Sequence, residues 1–237
     1  MTPEPVRPVR RPWLSQWWRD VTFVHWRVPP AAVESLLPPG TVPDTFGGVT
    51  YVGLVGLRMV GVGPARGPAV PYLGTFCETN VRVYAADRRG RRSVVFVSMD
   101  AERLVPVLAA RAALRLPYRW SAMRLARTGD VVRYSSRRRW PRPSTAVSRL
   151  AVRVGPPIPE PTPEEHFLTD RWALHTRAWG RTFHLPNGHP RWPLHRAELL
   201  ELDETLLLAA GLPPSGPPDS VLYSPGVPAI CGPPHPL

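Results

Sequence analysis

The stretch TFCETNVRVY, residues 75–84, decides the fold. In an extended chain its alternation puts Glu78, Asn80 and Arg82 on one face and Cys77, Thr79, Val81 and Val83 on the other. SVVFVS at 93–98 is a second strand, and the tip from Asp87 to Arg92 joins the two as a hairpin. A polar face ordered in this way has two readings. It is either the solvated side of a half-exposed strand or the lining of a polar cavity in a small barrel.

Upstream, Val21 to Val28 is a strand, and Pro29-Pro30 opens a short helix through Leu37 that Pro38-Pro39-Gly40 closes. Asp44 to Gly48 is a turn. Thr50 to Val60 is a strand whose glycines suggest a bend in a barrel or close approach by another backbone. Downstream, Asp100 is placed to cap a helix from Ala101 to Leu116, which Pro117 stops. Strands at 131–136 and 147–154 lead to a Pro-rich connector from Gly155 to Pro161. Thr162-Pro163-Glu164-Glu165 is a capping box with proline in the first turn, predicting a helix from Pro163 to about Ala178. Strands near 181–185, 195–202 and 220–224 and a short helix ending at Gly211 complete the chain. Short strands around two or three flanking helices indicate an α+β domain on an antiparallel, barrel-like sheet. Residues 13–237 are expected to form one domain, preceded by a Pro/Arg-rich arm at 1–12.

All 30 basic side chains are arginine, because the chain has no lysine. Isoleucine and asparagine occur twice each, so the +12 net charge reads as GC-rich coding composition more than as a nucleic-acid footprint. The arginine runs at Arg88–Arg92 and Arg137–Arg142 are short and read as solvated faces. Two cysteines do not make a disulfide framework or a cysteine zinc site. With no apolar signal region and no run of about 18 apolar residues, a cytoplasmic protein without a membrane span is expected.

In the helix after Asp100, Leu104, Val107, Leu108 and Leu114 form an apolar stripe that includes Arg111 and Arg115. These arginines either snorkel or find an anion, for which Glu78 or Asp100 is the natural carboxylate. His25, between Val24 and Trp26, is a core histidine or an acid–base group. His184, His189 and His195 match no metal-ligand spacing. Ser98 and Ser224 lack a nucleophile elbow, and without lysine there is no Walker motif.

Several blocks together resemble the YqjF-like family. They are VTFVHWRVPP (21–30), DTFGGVTYVGL (44–54), ETNVR (78–82), FVSMDAERL (96–104), AARAALRLPYRWSAM (109–123), EEHFLTDRW (164–172), HPRWPL (189–194) and YSPGV (223–227). That family is similar in turn to the acetoacetate-decarboxylase-like superfamily, which implies a distorted β-barrel or cone around a small polar pocket. In those decarboxylases an arginine-bearing helix precedes a Pro-Lys-Lys turn whose lysine forms a Schiff base. Arg111 matches the helix arginine and Glu78 the pocket glutamate, but Tyr118 and Arg119 stand where the lysines should be. A Schiff base needs a primary amine, so lysine-imine decarboxylation is excluded.

The resemblance then implies a lyase, hydratase or isomerase acting on an oxo or hydroxy carboxylic acid, without metal or cofactor. Glu78 would be the general acid–base and Tyr118 a donor, while Asn80, Arg82, Arg111, Arg119 and His25 would bind a small carboxylate or carbonyl compound. The alternative is a non-catalytic barrel that binds a small anion. Nucleic-acid binding through the arginine-rich surface ranks third, and a homo-oligomer is compatible with all three.

Overall fold

The computed structural model describes residues 9–141 and 145–237, so residues 1–8 of the expected arm and Arg142 of the second arginine run lie outside it. The described strands form one thirteen-stranded sheet. In chain order they are β1 (Leu14–Val28), β2 (Thr41–Pro43), β3 (Thr50–Pro64), β4 (Phe76–Asp87), β5 (Arg92–Ala101), β6 (Tyr118–Thr128) and β7 (Val131–Trp140). They continue with β8 (Val147–Pro157), β9 (Ala173–Ala178), β10 (Arg181–Gly188), β11 (His195–Glu204), β12 (Ser220–Cys231) and β13 (His235–Pro236). Three α-helices occur among the described residues: α1 (Leu104–Leu114), α2 (Pro163–Thr169) and α3 (Leu206–Ala209).

The pairing order β5-β6-β7-β8-β11-β12-β1-β3-β4 returns to its start, because β4 also pairs with β5. Most pairings are antiparallel, as expected. Two are not: β5 runs parallel to β6 and to β9. A parallel neighbour needs a crossover, and α1 supplies it between β5 and β6.

Both faces of the central strands are covered. On one face Val24, Trp26, Val52, Leu54, Val81, Val83, Leu150 and Val152 share a core cluster. On the other, Val21, Phe23, Val55, Leu57, Met99, Ala101, Val107 and Tyr118 share a second. β4 lies between the two, and every residue from Phe76 to Ala85 is buried. The polar face of this strand therefore points into protein, and the solvated reading of its alternation falls.

Gly53 and Gly56 in β3 make room for side chains, while Gly63, near the end of the strand, is approached by the backbone at Pro68. A Cβ on Gly56 would lie 2.8 Å from Cδ1 of Tyr134, and one on Gly53 would lie 3.0 Å from Cδ2 of His25 and 3.2 Å from Cγ of Arg82. His25, Gly53 and Arg82 are in register across β1, β3 and β4.

Four local expectations are corrected. Asp100 does not cap a helix: it belongs to β5, wholly buried, and the N-cap of α1 is Arg103. The predicted stripe is largely unburied, with Leu104 and Leu108 exposed and Val107 the buried member. The segment after Pro117 is strand β6, which the sequence pattern does not predict. α2 begins at the predicted capping box, where Thr162 Oγ1 accepts from Glu165 N and Glu165 Oε2 from Thr162 N, but it stops at Thr169. Residues 173–178, expected to continue that helix, form β9.

Candidate functional site

β4 carries Glu78, Asn80, Arg82 and Tyr84 on successive same-face positions, about 6.7 Å apart along the strand. Glu78 is 3% exposed. Its Oε2 accepts from the Tyr118 hydroxyl at 2.9 Å and its Oε1 from Asn80 Nδ2 at 3.2 Å. Burial pushes the Glu78 carboxyl up to about 7, with a smaller push from Asp100, against the two hydrogen bonds that favour its charged form. Burial, and then Glu78 itself, holds the Tyr118 phenol well above its ordinary value. Near neutrality this is a carboxyl that readily gains or loses a proton beside a hydroxyl that keeps its own.

Two residues further along, Arg82 and Tyr84 converge on a backbone oxygen. The Leu168 carbonyl accepts from Arg82 Nη2 at 2.9 Å and from the Tyr84 hydroxyl at 2.8 Å. That oxygen is available because α2 ends one residue later, leaving its last carbonyls without helical donors. Had the helix run on as predicted, residue 172 would have taken it. Tyr84 spends its one proton on Leu168, so in its 2.7 Å contact with His25 Nε2 the histidine must donate. Burial first, then Arg82 and Arg171, hold His25 well below its usual value, so the ring is neutral and Nδ1 bears a lone pair.

Three buried polar atoms on this face lack a hydrogen-bond partner among the described residues: Asn80 Oδ1, Arg82 Nε and His25 Nδ1. Buried polar groups are nearly always satisfied, so such a row needs an explanation. Together they offer one donor and two acceptors to whatever lies along β4.

Of the residues singled out from sequence, Glu78, Tyr118 and Asn80 are directly bonded, and Arg82 and His25 continue the same face. Arg111 and Arg119 are not part of that group. Arg111, half-buried, donates to the Tyr118 carbonyl at 2.8 Å and stacks over Trp140, while Arg119 projects from β6 on the side opposite Tyr118. Neither Glu78 nor Asp100 is the counter-charge of Arg111, as the sequence reading had expected. Asp100 pairs instead with Arg138 at 2.7 Å and accepts from Ser98 and Ser121. His184, His189 and His195 take separate neighbours: His175, the Arg171 carbonyl and the Gly155 carbonyl.

Sequence reasoning missed Tyr84, the Leu168 carbonyl and Arg171, whose guanidinium is buried over Tyr84 and Phe167 and paired with Asp44. The alternation that selected Glu78, Asn80 and Arg82 also selects Tyr84. The carbonyl carries no sequence signal.

This fold is that of the acetoacetate-decarboxylase-like enzymes. An acetoacetate decarboxylase from Legionella pneumophila aligns with a TM-score of 0.66 at 13% identity, covering 100% of this chain and 92% of that one. An acetoacetate decarboxylase-like enzyme from Sphingomonas wittichii RW1 gives 0.64 at 15%, over 95% and 92%. The enduracididine biosynthesis enzyme MppR complexed with pyruvate gives 0.65 at 16%, over 100% and 91%. Within that fold the chain belongs to the DUF2071 family, described as "Uncharacterized conserved protein (COG2071)", whose model matches residues 15–228. It is 28% identical over 206 residues to the uncharacterized protein YqjF of Bacillus subtilis (strain 168), covering 86% of this chain and 85% of YqjF. No helix among the described residues is long and apolar enough to cross a membrane.

Proposed function

We propose that the protein is a small-molecule enzyme of lyase, hydratase or isomerase type that moves a proton on an oxo or hydroxy carboxylic acid without forming an imine. One observation carries this reading. Glu78, buried and with its carboxyl pushed up by that burial to about 7, shares a face with three buried polar atoms that have no protein partner among the described residues. Catalytic acid–base groups work best when their pKa lies near the operating pH, and a satisfied structural core would not leave such a row open.

In this reading Glu78 removes a proton from the carbon beside the substrate's carbonyl or carboxyl group and returns it later in the cycle. Tyr118 donates to whichever oxygen carries the charge, the carboxylate or the developing oxyanion. Arg82 and His25 bind the far end of the substrate, the guanidinium through its free Nε–H and the imidazole through its free lone pair, while Asn80 Oδ1 accepts from a substrate hydroxyl. The closed order of strand pairings supports a barrel or cone around this row. The absence of lysine leaves proton transfer, rather than Schiff-base formation, as the chemistry available to these side chains.

The test is deuterium wash-in at the methyl group of pyruvate, followed by proton NMR, together with turnover of 2-oxo, 3-oxo and 2-hydroxy acids. The expected result is exchange or turnover that rises through about pH 7 and falls on the order of 100-fold in Glu78→Gln. Ligand-induced thermal stabilisation with neither exchange nor product would establish the anion-binding barrel instead.

A further inference from the structure

A second site lies outside the Glu78 row, where the last turns of α1 meet the start of β6 and the β9–β10 turn. A cleft of about 530 Å³ there is lined by Leu108, Arg111, Ala112, Arg115, Leu116, Pro117, Arg119 and Trp179. Leu108, Arg111 and Ala112 lie on one stripe of α1, at i, i+3 and i+4, and Arg115 is its left-handed C-cap residue (φ 53°). The lining holds three guanidinium groups and no carboxylate.

Structural needs account for only part of this charge. Arg111 and Arg115 sit where cations complement the C-terminal end of a helix dipole. Arg119 comes from a strand and has no such role. It is half-buried, its guanidinium makes no hydrogen bond among the described residues, and it feels the like charges of Arg138 and Arg111. Asp100 is the one carboxylate that acts on Arg119, and Asp100 is already hydrogen-bonded to Arg138, so a guanidinium held partly out of water among other guanidinia is in a setting that an anion would stabilise.

The fourth wall is Trp179. It is 59% exposed and adopts a left-handed backbone (φ 47°) in the turn before Gly180. Trp179 and Gly180 are the two central residues of the β9–β10 hairpin, both left-handed (φ 47° and 75°), as a tight two-residue turn demands. The Trp179 ring meets that of Phe183 at 89°, and the side chain is otherwise largely exposed.

We propose that this cleft binds an organic phosphate with a flat ring, of the size of a nucleoside diphosphate, with Arg111, Arg115 and Arg119 on the phosphates and Trp179 against the ring. Three fixed positive charges fit a multiply charged anion better than a lone carboxylate. The apolar wall of Leu108, Ala112, Leu116 and Pro117 suits a ligand with an uncharged body, and the volume falls in the range of small-molecule sites.

Calorimetric titration with ADP, pyrophosphate, adenosine and a 12-nucleotide single strand tests this on the full chain at low and moderate salt. ADP should bind more tightly than pyrophosphate, and adenosine should not bind. Arg115→Gln/Arg119→Gln should weaken ADP at least about tenfold. Trp179→Ala should weaken ADP about fivefold and leave pyrophosphate unchanged, because it removes only the stacked ring. Circular dichroism and melting temperature check that the variants fold. No ADP binding at millimolar concentration, equal affinity in the arginine variant, or an oligonucleotide that binds more tightly than ADP would each overturn the proposal. Glu78→Gln should leave the ADP isotherm intact, so failure here and failure of the proton-transfer reading are separate results.

Discussion

Tyr118 donates to Glu78 across an intervening strand: the hydroxyl at the start of β6 reaches Glu78 Oε2 on β4 at 2.9 Å, over β5. The contact joins positions 40 apart in sequence and gives the carboxyl its closest neighbour.

Glu78 should make stability fall as pH rises. Burial pushes its folded pKa up to about 7, above the ordinary carboxyl value of 4.5, so its contribution is full below 4.5 and is lost as pH rises through 7. The shift corresponds to about 3 kcal/mol between those limits. Urea unfolding at pH 5, 6, 7 and 8 should show this fall in the wild type and a flatter profile in Glu78→Gln.

Tyr118→Phe removes a hydrogen bond that favours the charged carboxylate. The step in stability, and any activity limb that follows Glu78, should move to higher pH in this variant. Loss of the buried bond should cost about 1–2 kcal/mol. Paired pH titrations of unfolding and of deuterium exchange measure both effects.

Gly53→Ala places a methyl group against His25 and Arg82. The backbone of β3 can accept alanine, so the strain falls on the two side chains. The expected outcome is a loss of about 1–3 kcal/mol in stability, with ligand-induced stabilisation by pyruvate or lactate abolished. A variant that keeps full ligand response would show that neither residue touches the ligand.

Asp100→Asn should be among the most damaging conservative changes in the chain. Asp100 is fully buried, and its partner Arg138 would be left charged with only neutral acceptors. Breaking such a pair costs about 3–5 kcal/mol. Asp100→Asn/Arg138→Met should recover part of that loss in the same chemical denaturation assay.

Local signals in the sequence carried far. The capping box at Thr162–Glu165 located the start of α2 to the residue, because the interactions that make it lie within four positions. The alternation in 75–84 located the Glu78 face for the same reason. Burial was not legible there, since a strand covered on both sides by two separate clusters has the same alternation as one with a wet face. Asp100 before an apolar segment is indistinguishable from an N-cap until Arg138, 38 positions away, is seen beside it. The end of α2 escaped for a similar reason. Residues 170–172 suit a helix locally, but Arg171 is drawn off by Asp44 and Tyr84. Segment 118–128 carries little strand signal because its apolar positions are interrupted by Arg119, Arg124 and Arg127.

The early stop of α2 gives helix length a chemical meaning. Helix-favouring substitutions at 170–172, ordinarily a routine way to harden a protein, would here offer a new donor to the Leu168 oxygen and set it in competition with Arg82 and Tyr84. On the proposed reading, a stabilised variant would then hold its shape and lose ligand binding with no residue on β4 altered. For anyone engineering this chain, the end of α2 therefore sets where Arg82 and Tyr84 point as much as any side chain does.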